Sequence, residues 1–225
     1  MPQKDDISFE EFNTRFKIAA VKRGAKIQII SNGSCVAVFN SNKKPKLALM
    51  SGVHGDERAG PLALLSFVEH GKIYSDRALW IAPMVNNLGW DRNKRKWGRY
   101  DLNRNFDPNL APEFLLEIMR SLEKFNPNVF LDLHEDSLRG NSYLFRNLED
   151  PSTFVLDLQK SLDTVHDAWK YPRDWKGSSE SYARALGCNL TSTVETPTTW
   201  ELQPRVAFHL AAVKWANRKI IKYEF

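Results

Sequence analysis

The sequence predicts an α/β domain with a mixed, mostly parallel central sheet and helices on both faces. Short apolar runs typical of buried strands alternate along the chain with patterns typical of helices, which favours this class of fold. The 225 residues are 42% hydrophobic and 26% charged, an ordinary composition for a globular domain. Because no repeat, low-complexity stretch or linker divides the chain, we expect a single domain over residues 1–225.

A helix and a hairpin are predicted first along the chain. Ser8 and Glu11 have the spacing of a capping box, which predicts that a helix begins after Ser8. Residues 26–30 and 35–39 flank an Asn-Gly pair, which is a strong signal for a tight turn between antiparallel strands. We therefore expect a β-hairpin next to the N-terminal helix.

The rest of the chain alternates buried strands with helices. Strands are predicted over residues 47–50, 79–85, 129–133 and 190–194, and helices over residues 61–68, 113–125, 152–169, 178–186 and 206–221. In sheets of this type, ligands bind beyond the carboxyl ends of the strands. The polar residues of interest follow those strand ends: His54, Glu57, Asn86, His134 and Glu195.

Composition and charge narrow the classes of function. No apolar run approaches the roughly 18 residues of a transmembrane helix, and the N-terminus lacks the basic-then-apolar order of a secretory signal. Cys35 and Cys188 are too few for a disulfide framework, so we expect a cytoplasmic protein with reduced thiols. The net charge is +5, and the Lys and Arg residues are scattered apart from one concentration in residues 91–100, where two aromatic side chains accompany the basic ones. Without a nucleic-acid-binding signature, this run indicates a solvated loop or an anion-binding wall, and we expect neither nucleic acid nor membrane as a partner.

A metal site is predicted from three residues. His54 and Glu57, three positions apart at a strand-to-helix turn, can direct an imidazole nitrogen and a carboxylate oxygen at one point. Zinc accepts such ligands, and hydrolytic zinc sites usually keep three protein ligands. His134 is the best third candidate, although a lone histidine on an apolar strand is more often a core residue. The other histidines fall in predicted helices without such surroundings: His70, His166 and His209.

Other polar residues suggest a base and an anion site. Glu195 ends an apolar strand and is a candidate general base, with an N-cap or a surface ion pair as the alternative. Asn103 and Arg104 combine an amide with a guanidinium fork suited to a carboxylate. Alternatively, Arg104 only pairs with Asp101 or Asp132.

These motifs, in this order, resemble a known superfamily. Gly-Val-His-Gly-Asp-Glu, Asp-Leu-Asn-Arg-Asn-Phe, Asp-Leu-His and a late strand-end Glu resemble the zinc carboxypeptidases, which share a superfamily with succinylglutamate desuccinylase and aspartoacylase. The resemblance extends roughly over residues 47–197 and implies the zinc carboxypeptidase fold, of the phosphorylase/hydrolase-like type. It assigns zinc to His54, Glu57 and His134, the general base to Glu195, and the grip on the substrate carboxylate to Asn103 and Arg104.

The resemblance implies further site residues less directly. The family uses an upstream arginine to polarise the scissile carbonyl; Arg95 lies nearest to the expected spacing, with Arg92 and Arg99 as alternatives. An ungapped count back from Glu195 places Glu180 where digestive carboxypeptidases form their side-chain pocket, which would favour a basic group on the substrate. The alternative for Glu180 is an exposed helical residue.

Two more features of the sequence depart from the family pattern. Its mobile tyrosine has the candidates Tyr171 and Tyr182, neither in good register. His134 is followed by Glu135 and Asp136, where relatives often have small or hydroxyl residues. These acids would either add negative charge near the metal or belong to a solvated loop.

The leading hypothesis is a zinc-dependent metallopeptidase of carboxypeptidase type, which hydrolyses a peptide or peptide-like amide next to a free C-terminal carboxylate. A cell-wall peptide is one candidate substrate, because the short chain resembles compact bacterial enzymes that trim such peptides. The first alternative is an N-acyl amino acid deacylase, and the second is a non-catalytic zinc-binding or ligand-binding protein on the same fold. The peptidase is preferred because Asp-Leu-Asn-Arg-Asn-Phe is closer to that branch and no room is visible for a C-terminal β-domain.

Overall fold

A computed structural model describes residues 7–146, 153–162 and 176–223 of the chain. The strands are β1 Lys26–Ile29, β2 Cys35–Phe39, β3 Lys46–Ser51, β4 Ala78–Ala82, β5 Val129–Asp136, β6 Tyr143–Arg146 and β7 Leu190–Pro197. The helices are α1 Phe9–Lys22, α2 Ala59–His70, α3 Asn87–Arg92, α4 Glu113–Phe125, α5 Thr153–Ser161, α6 Ser179–Ala185 and α7 Leu202–Lys219. Short 3₁₀ turns lie at Leu102–Arg104 and Ile220–Lys222.

The described strands form one mixed sheet in the order β1-β2-β4-β3-β5-β7-β6. The four central strands run parallel, whereas β1, β2 and β6 pair antiparallel with their neighbours at the two flanks. Helices connect the parallel strands because such strands need a crossover rather than a tight turn. The predicted α/β class, with a mostly parallel central sheet and helices on both faces, is confirmed.

The elements predicted from local signals have their expected positions. The hydroxyl of Ser8 accepts the backbone N–H of Glu11 at 3.1 Å and caps α1. The hairpin pairs Lys26 with Val38 at its open end, and its turn contains Gly33 with φ of +88°. Helix α4 has the predicted bounds. Local sequence chemistry therefore determines these elements.

The strand ends near the polar residues differ from the prediction. Strand β4 ends at Ala82, directly before a proline, rather than at residue 85. Strands β5 and β7 continue to Asp136 and Pro197, because their ladder pairs run on through His134 and Glu195. His134 and Glu195 thus lie within strands, rather than at the ends predicted for them.

Two elements were not predicted. Helix α3 lies mostly before residues 91–100, the segment expected to be a loop, and extends two residues into it; Asn86 caps the helix by accepting the N–H of Gly89 at 2.8 Å. Strand β6 forms the sheet edge beside β7. Helix α5 covers the first half of the helix predicted over residues 152–169, and residues 163–169 lie outside the described residues.

The two faces of the sheet pack against different helices. Leu49 and Leu131 belong to the core under α1, α2, α5 and α7, whereas Ala48 and Phe130 belong to the core under α4 and α6. This assignment follows from the alternation of side chains along each strand. Among the described residues, none of the helices combines the length and the apolar character needed to cross a bilayer.

Leu49→Ala is expected to lower the free energy of unfolding by about 2–5 kcal/mol, because it leaves a cavity in the centre of the sheet. Leu49 is fully buried on β3, between β4 and β5. Ile18→Ala is the control, since Ile18 is 64% exposed on α1 and should change stability by no more than about 0.5 kcal/mol. Urea denaturation measures both values, and equal losses in the two variants would contradict the packing described.

Candidate metal centre

Three buried side chains converge at the carboxyl end of the parallel strands. His54 and Glu57 lie in the loop between β3 and α2, and His134 lies on β5. Nδ1 of His54 is 2.6 Å from Oε1 of Glu57, and Nδ1 of His134 is 2.8 Å from Oε2 of the same carboxylate. One ligand atom from each residue lies within 4.8 Å of the others. The cluster predicted from the sequence is therefore assembled in a form that could hold a metal ion.

The opposite nitrogen of each imidazole is held by a second carboxylate. Nε2 of His54 is 3.1 Å from Oδ1 of Asp101, and Nε2 of His134 is 2.9 Å from Oδ2 of Asp132. A histidine that binds a metal usually donates its other N–H to such a group, which fixes the ring and its tautomer. With Nε2 as the donor, Nδ1 of both rings is left to bind the ion. The donor set therefore fits zinc in both ligand type and orientation.

The charged side chains of the cluster shift one another's pKa values. Burial lowers the pKa of a histidine, but the carboxylates of Asp132 and Glu57 outweigh it and raise the pKa of His134 well above the usual value. Burial would likewise raise the pKa of Glu57, but His54 and His134 outweigh it and hold that pKa well below its usual range. The shifts favour protonated imidazoles around an ionised carboxylate, and a metal ion would take the place of those protons.

Close backbone packing positions the loop that carries His54 and Glu57. Gly52 adopts φ of +63°, a region that favours glycine. A Cβ on Gly55 would lie 2.2 Å from the carbonyl carbon of Gly89, so only glycine fits against α3. The side chain of Asn86 donates to the carbonyl of Arg95 at 2.9 Å, and the N–H of Gly55 donates to the same carbonyl at 3.3 Å. Asn86 therefore supports the loop.

Glu195 lies next to the cluster on the neighbouring strand. It pairs with His134 across β5 and β7, so both side chains project from the same face of the sheet. Glu195 is buried, and its Oε2 has no hydrogen-bond partner among the residues that the structure describes. Burial raises the pKa of Glu195 well above its usual value, and Glu57 and Asp136 add to this effect while His134 opposes it. A carboxyl with a raised pKa is protonated more readily than an ordinary glutamate, which suits a group that must both take up and donate a proton.

Of the three candidate arginines, Arg95 contacts the cluster. Its Nη1 donates to Oε1 of Glu57 at 3.1 Å, and its Nε lies 3.8 Å from Oδ2 of Asp101. About half of the side chain, 47%, is exposed. Arg92 ends α3 as an exposed residue, and Arg99 donates to the hydroxyl of a neighbouring tyrosine. The position of Arg95 suits the predicted role, which itself stays a prediction.

Asn103 and Arg104 occupy a 3₁₀ turn beside the cluster. The amide oxygen of Asn103 accepts the N–H of Ser179 at 3.1 Å, which directs its NH₂ group away from that contact. Arg104 is exposed and donates to the carbonyl of Asn103 at 2.6 Å. The N–H of Asn103 donates to Asp101, the residue that also holds His54. The predicted anion site and the metal cluster therefore share one turn.

Glu180 is largely buried instead of exposed on its helix. Its carboxylate accepts the hydroxyls of Thr191 at 3.3 Å and Thr193 at 3.1 Å, on the face of β7 that also bears Glu195. Arg184, one turn along α6, pairs with it at 3.0 Å. Burial raises the pKa of Glu180, and Arg184 and the threonines oppose this. Its predicted role in substrate selection stays a prediction, but Arg184 already balances its charge.

The remaining candidates lie outside the three clustered ligands or outside the described residues. Tyr182 packs in the core under α4, and its hydroxyl is 3.5 Å from a backbone carbonyl of that helix. His70 is exposed at the end of α2, and His209 is buried on α7. Tyr171 and His166 lie outside the described residues.

Sequence reasoning missed the carboxylates that orient the histidines. Asp132 precedes His134 by two positions, which places both on one face of a strand, and this spacing was an available signal. Asp101 had no comparable signal, because it is 47 residues from His54. Ser179, whose hydroxyl donates to Asp132, was likewise not identified.

The two acids after His134 have separate roles in the fold. Asp136 accepts the hydroxyl of Tyr143 at 2.6 Å, and Tyr143 pairs with Glu195 across β6 and β7. Glu135 is buried on the opposite face of the sheet, where it accepts from Arg205. Of the two alternatives for Glu135, the solvated loop is therefore wrong, because β5 continues through this position and the side chain is buried.

The sequence matches the family model of the succinylglutamate desuccinylase/aspartoacylase catalytic domain over residues 43–166, which is more than half of the chain. The chain belongs to this family. No curated protein matches it in sequence.

Solved structures share the fold of this family member at low sequence identity. A provisionally assigned metallopeptidase from Shewanella baltica aligns with a TM-score of 0.80 and 21% identity, over 93% of this chain and 91% of the other. A metallo-carboxypeptidase from Burkholderia cenocepacia aligns with a TM-score of 0.76 and 15% identity, over 96% and 69%. A metallo-carboxypeptidase from Pseudomonas aeruginosa aligns with a TM-score of 0.71 and 15% identity, over 93% and 68%. The chain therefore has the fold of metallo-carboxypeptidases.

Purified protein is expected to contain about one zinc ion per chain, bound by the three clustered ligands. His134→Ala should lose the zinc, because it removes one donor and leaves Glu57 with one imidazole partner. His70→Ala is the matched control, since it removes an exposed histidine distant from the cluster and should retain the zinc. Elemental analysis with circular dichroism measures metal content and folding, and zinc retained by folded His134→Ala would contradict the assignment.

Proposed function

We propose that this chain is a zinc-dependent hydrolase of carboxypeptidase type. Its substrate would be a peptide or peptide-like amide next to a free C-terminal carboxylate. The observation on which this proposal depends is the register of His134 and Glu195. That register puts a carboxylate oxygen without a hydrogen-bond partner among the described residues beside His134, whose Nδ1 converges with that of His54 on Glu57.

The residues of the site have complementary tasks in this proposal. When bound, zinc lowers the pKa of water and polarises a carbonyl. Glu195 takes a proton from the attacking water and later donates it to the leaving amine, a use for which its raised pKa is suited. Arg95 stabilises the negative charge that develops on the carbonyl oxygen. It is near enough to do so, because it already contacts Glu57.

Substrate recognition is assigned to the turn beside the cluster. Arg104 would bind the terminal carboxylate through its guanidinium fork, and Asn103 would donate through its NH₂ group. The exposure of Arg104 and the fixed orientation of Asn103 support this role. Glu180 would favour a basic group on the substrate to the extent that Arg184 leaves its charge uncompensated.

A second candidate is an N-acyl amino acid deacylase. It is favoured by the match to the succinylglutamate desuccinylase/aspartoacylase catalytic domain. That reaction would use the same metal ligands, the same base and the same carboxylate-binding residues, because an N-acyl amino acid also presents an amide next to a free carboxylate. The two candidates differ in what lies on the acyl side of the scissile bond.

Glu195→Gln should lower kcat by about 10²–10⁴-fold, because glutamine cannot accept or donate the proton. Zinc content should be unchanged, since Glu195 is not among the clustered ligands. Glu69→Gln is the control, because it changes a remote carboxylate that pairs with Arg15. Turnover and zinc content are measured on the same preparations. Full activity in Glu195→Gln would contradict its role as the base.

Peptides with a free C-terminus should be cleaved, whereas the same peptides with an amidated C-terminus should not, because Arg104 loses its anionic partner. Arg104→Met should raise KM for the free peptides more than it lowers kcat. Parallel assays with N-acyl amino acids separate the two candidates. Cleavage of those compounds alone would establish the deacylase, and zinc binding without any turnover would indicate a non-catalytic protein.

A further inference from the structure

The residues directly behind the metal cluster form a second polar layer. Strands β5 and β7 pair His134 with Glu195 on the front face, and the next pair along, Glu135 with Thr196, projects from the back face. Helix α7 covers this back pair with Arg205, which donates to Glu135, and His209, whose Nε2 is 3.1 Å from the hydroxyl of Thr196. Because positions 205 and 209 are one helical turn apart, a single face of α7 makes both contacts.

Both the backbone and the side chain of Glu135 contact the segment that runs from the loop carrying Glu57 into α2. Its N–H donates to Oε2 of Glu57 at 3.1 Å, and its own Oε1 accepts the N–H of Ala59 at 2.5 Å. Ala59 is the first residue of α2, two positions after Glu57. The segment from Glu57 to Ala59 is therefore bonded at two points to the residue that follows His134. These bonds constrain the distance between Glu57 and His134.

Arg205 keeps the side chain of Glu135 in this position. The carboxylate of Glu135 is fully buried, and the side chain of Arg205 is 15% exposed. A buried carboxylate without its cationic partner is strongly disfavoured and rearranges toward water or a proton. Without Arg205, Glu135 would no longer be held against the N–H of Ala59. The contact between α7 and β5 thus helps to hold the start of α2, and with it the loop that carries His54 and Glu57, in position.

We propose that Glu135 and Arg205 are positioning residues for the metal site, which they preorganise from the back of the sheet without touching the ion. This inference rests on the proposed zinc-dependent function. If it is correct, replacing Glu135 or Arg205 weakens metal binding by more than any loss of overall stability explains. Residues that support metal ligands in this way typically alter affinity by about 10–100-fold when they are replaced.

The test compares Glu135→Gln, Arg205→Met and Arg205→Lys with Arg77→Met. Arg77 is the matched control because it is also buried and also contacts α7, donating to the carbonyls of Asn217 and Arg218 at the other end of that helix. Zinc dissociation constants are measured by chelator competition, and the stability of the metal-free proteins by urea denaturation. Absorption spectra of the cobalt-loaded proteins report the geometry around the ion.

Glu135→Gln and Arg205→Met are expected to raise the zinc Kd by about 10–100-fold and to shift the cobalt spectrum. Arg205→Lys should recover part of the loss, because it restores a cation near Glu135. Arg77→Met should lower stability and leave both the Kd and the spectrum unchanged. If Arg205→Met does not fold, Glu135→Gln and Arg205→Lys provide the comparison.

Unchanged Kd values in folded Glu135→Gln and Arg205→Lys would overturn the inference, and so would an equal rise in Arg77→Met. The proposed function would survive these results, because the wild-type protein would still bind zinc. Absence of zinc binding by the wild-type protein would overturn both, since no metal site would exist to be positioned.

Discussion

The carboxylate of Glu57 is the point on which the organisation of the site depends. It accepts contacts from His54 of its own loop, from His134 of β5, from the guanidinium of Arg95 and from the N–H of Glu135. A buried carboxylate is stable only where such partners replace the lost water. The loop after β3, the segment after α3 and the end of β5 are therefore constrained to meet there. The geometry of the site follows from the hydrogen bonds and ion pairs that this one buried carboxylate needs.

Much of the fold was predictable because its signals are local. The capping box before α1, the Asn-Gly hairpin and the strong amphipathic pattern of α4 each specify an element from neighbouring residues. Helix α3 has only the single local signal of an N-cap over six residues, and strand β6 has no such signal. Helix α3 depends on its Asn86 cap, and β6 depends on its pairing with β7. The acidic residues at the end of β5 do not favour a strand, and it is the ladder with β7 that extends it.

Some residues of the candidate site could be predicted from the sequence, and others could not. The ligands His54, Glu57 and His134 could be proposed because donor types and strand-end positions restrict the choice. Asp132 could have been added from its spacing to His134 along one strand. Asp101 could not, since its approach to His54 depends on how the chain folds between β4 and α4. Tertiary structure also decided that Glu135 faces away from the cluster.

The turn at Leu102–Arg104 brings the residue that orients His54 next to the residue that is proposed to bind the substrate carboxylate. Asp101, at its start, orients His54 and accepts the N–H of Asn103, while Arg104 at its end faces solvent. An ion bound through His54 and a carboxylate bound through Arg104 would both require this turn to be ordered. To the extent that each ligand stabilises the same conformation of the turn, their binding equilibria would be linked, and by thermodynamic reciprocity each ligand would strengthen the binding of the other by the same factor. The protein with a carboxylate-bearing product bound would consequently hold the metal more firmly than the free protein does.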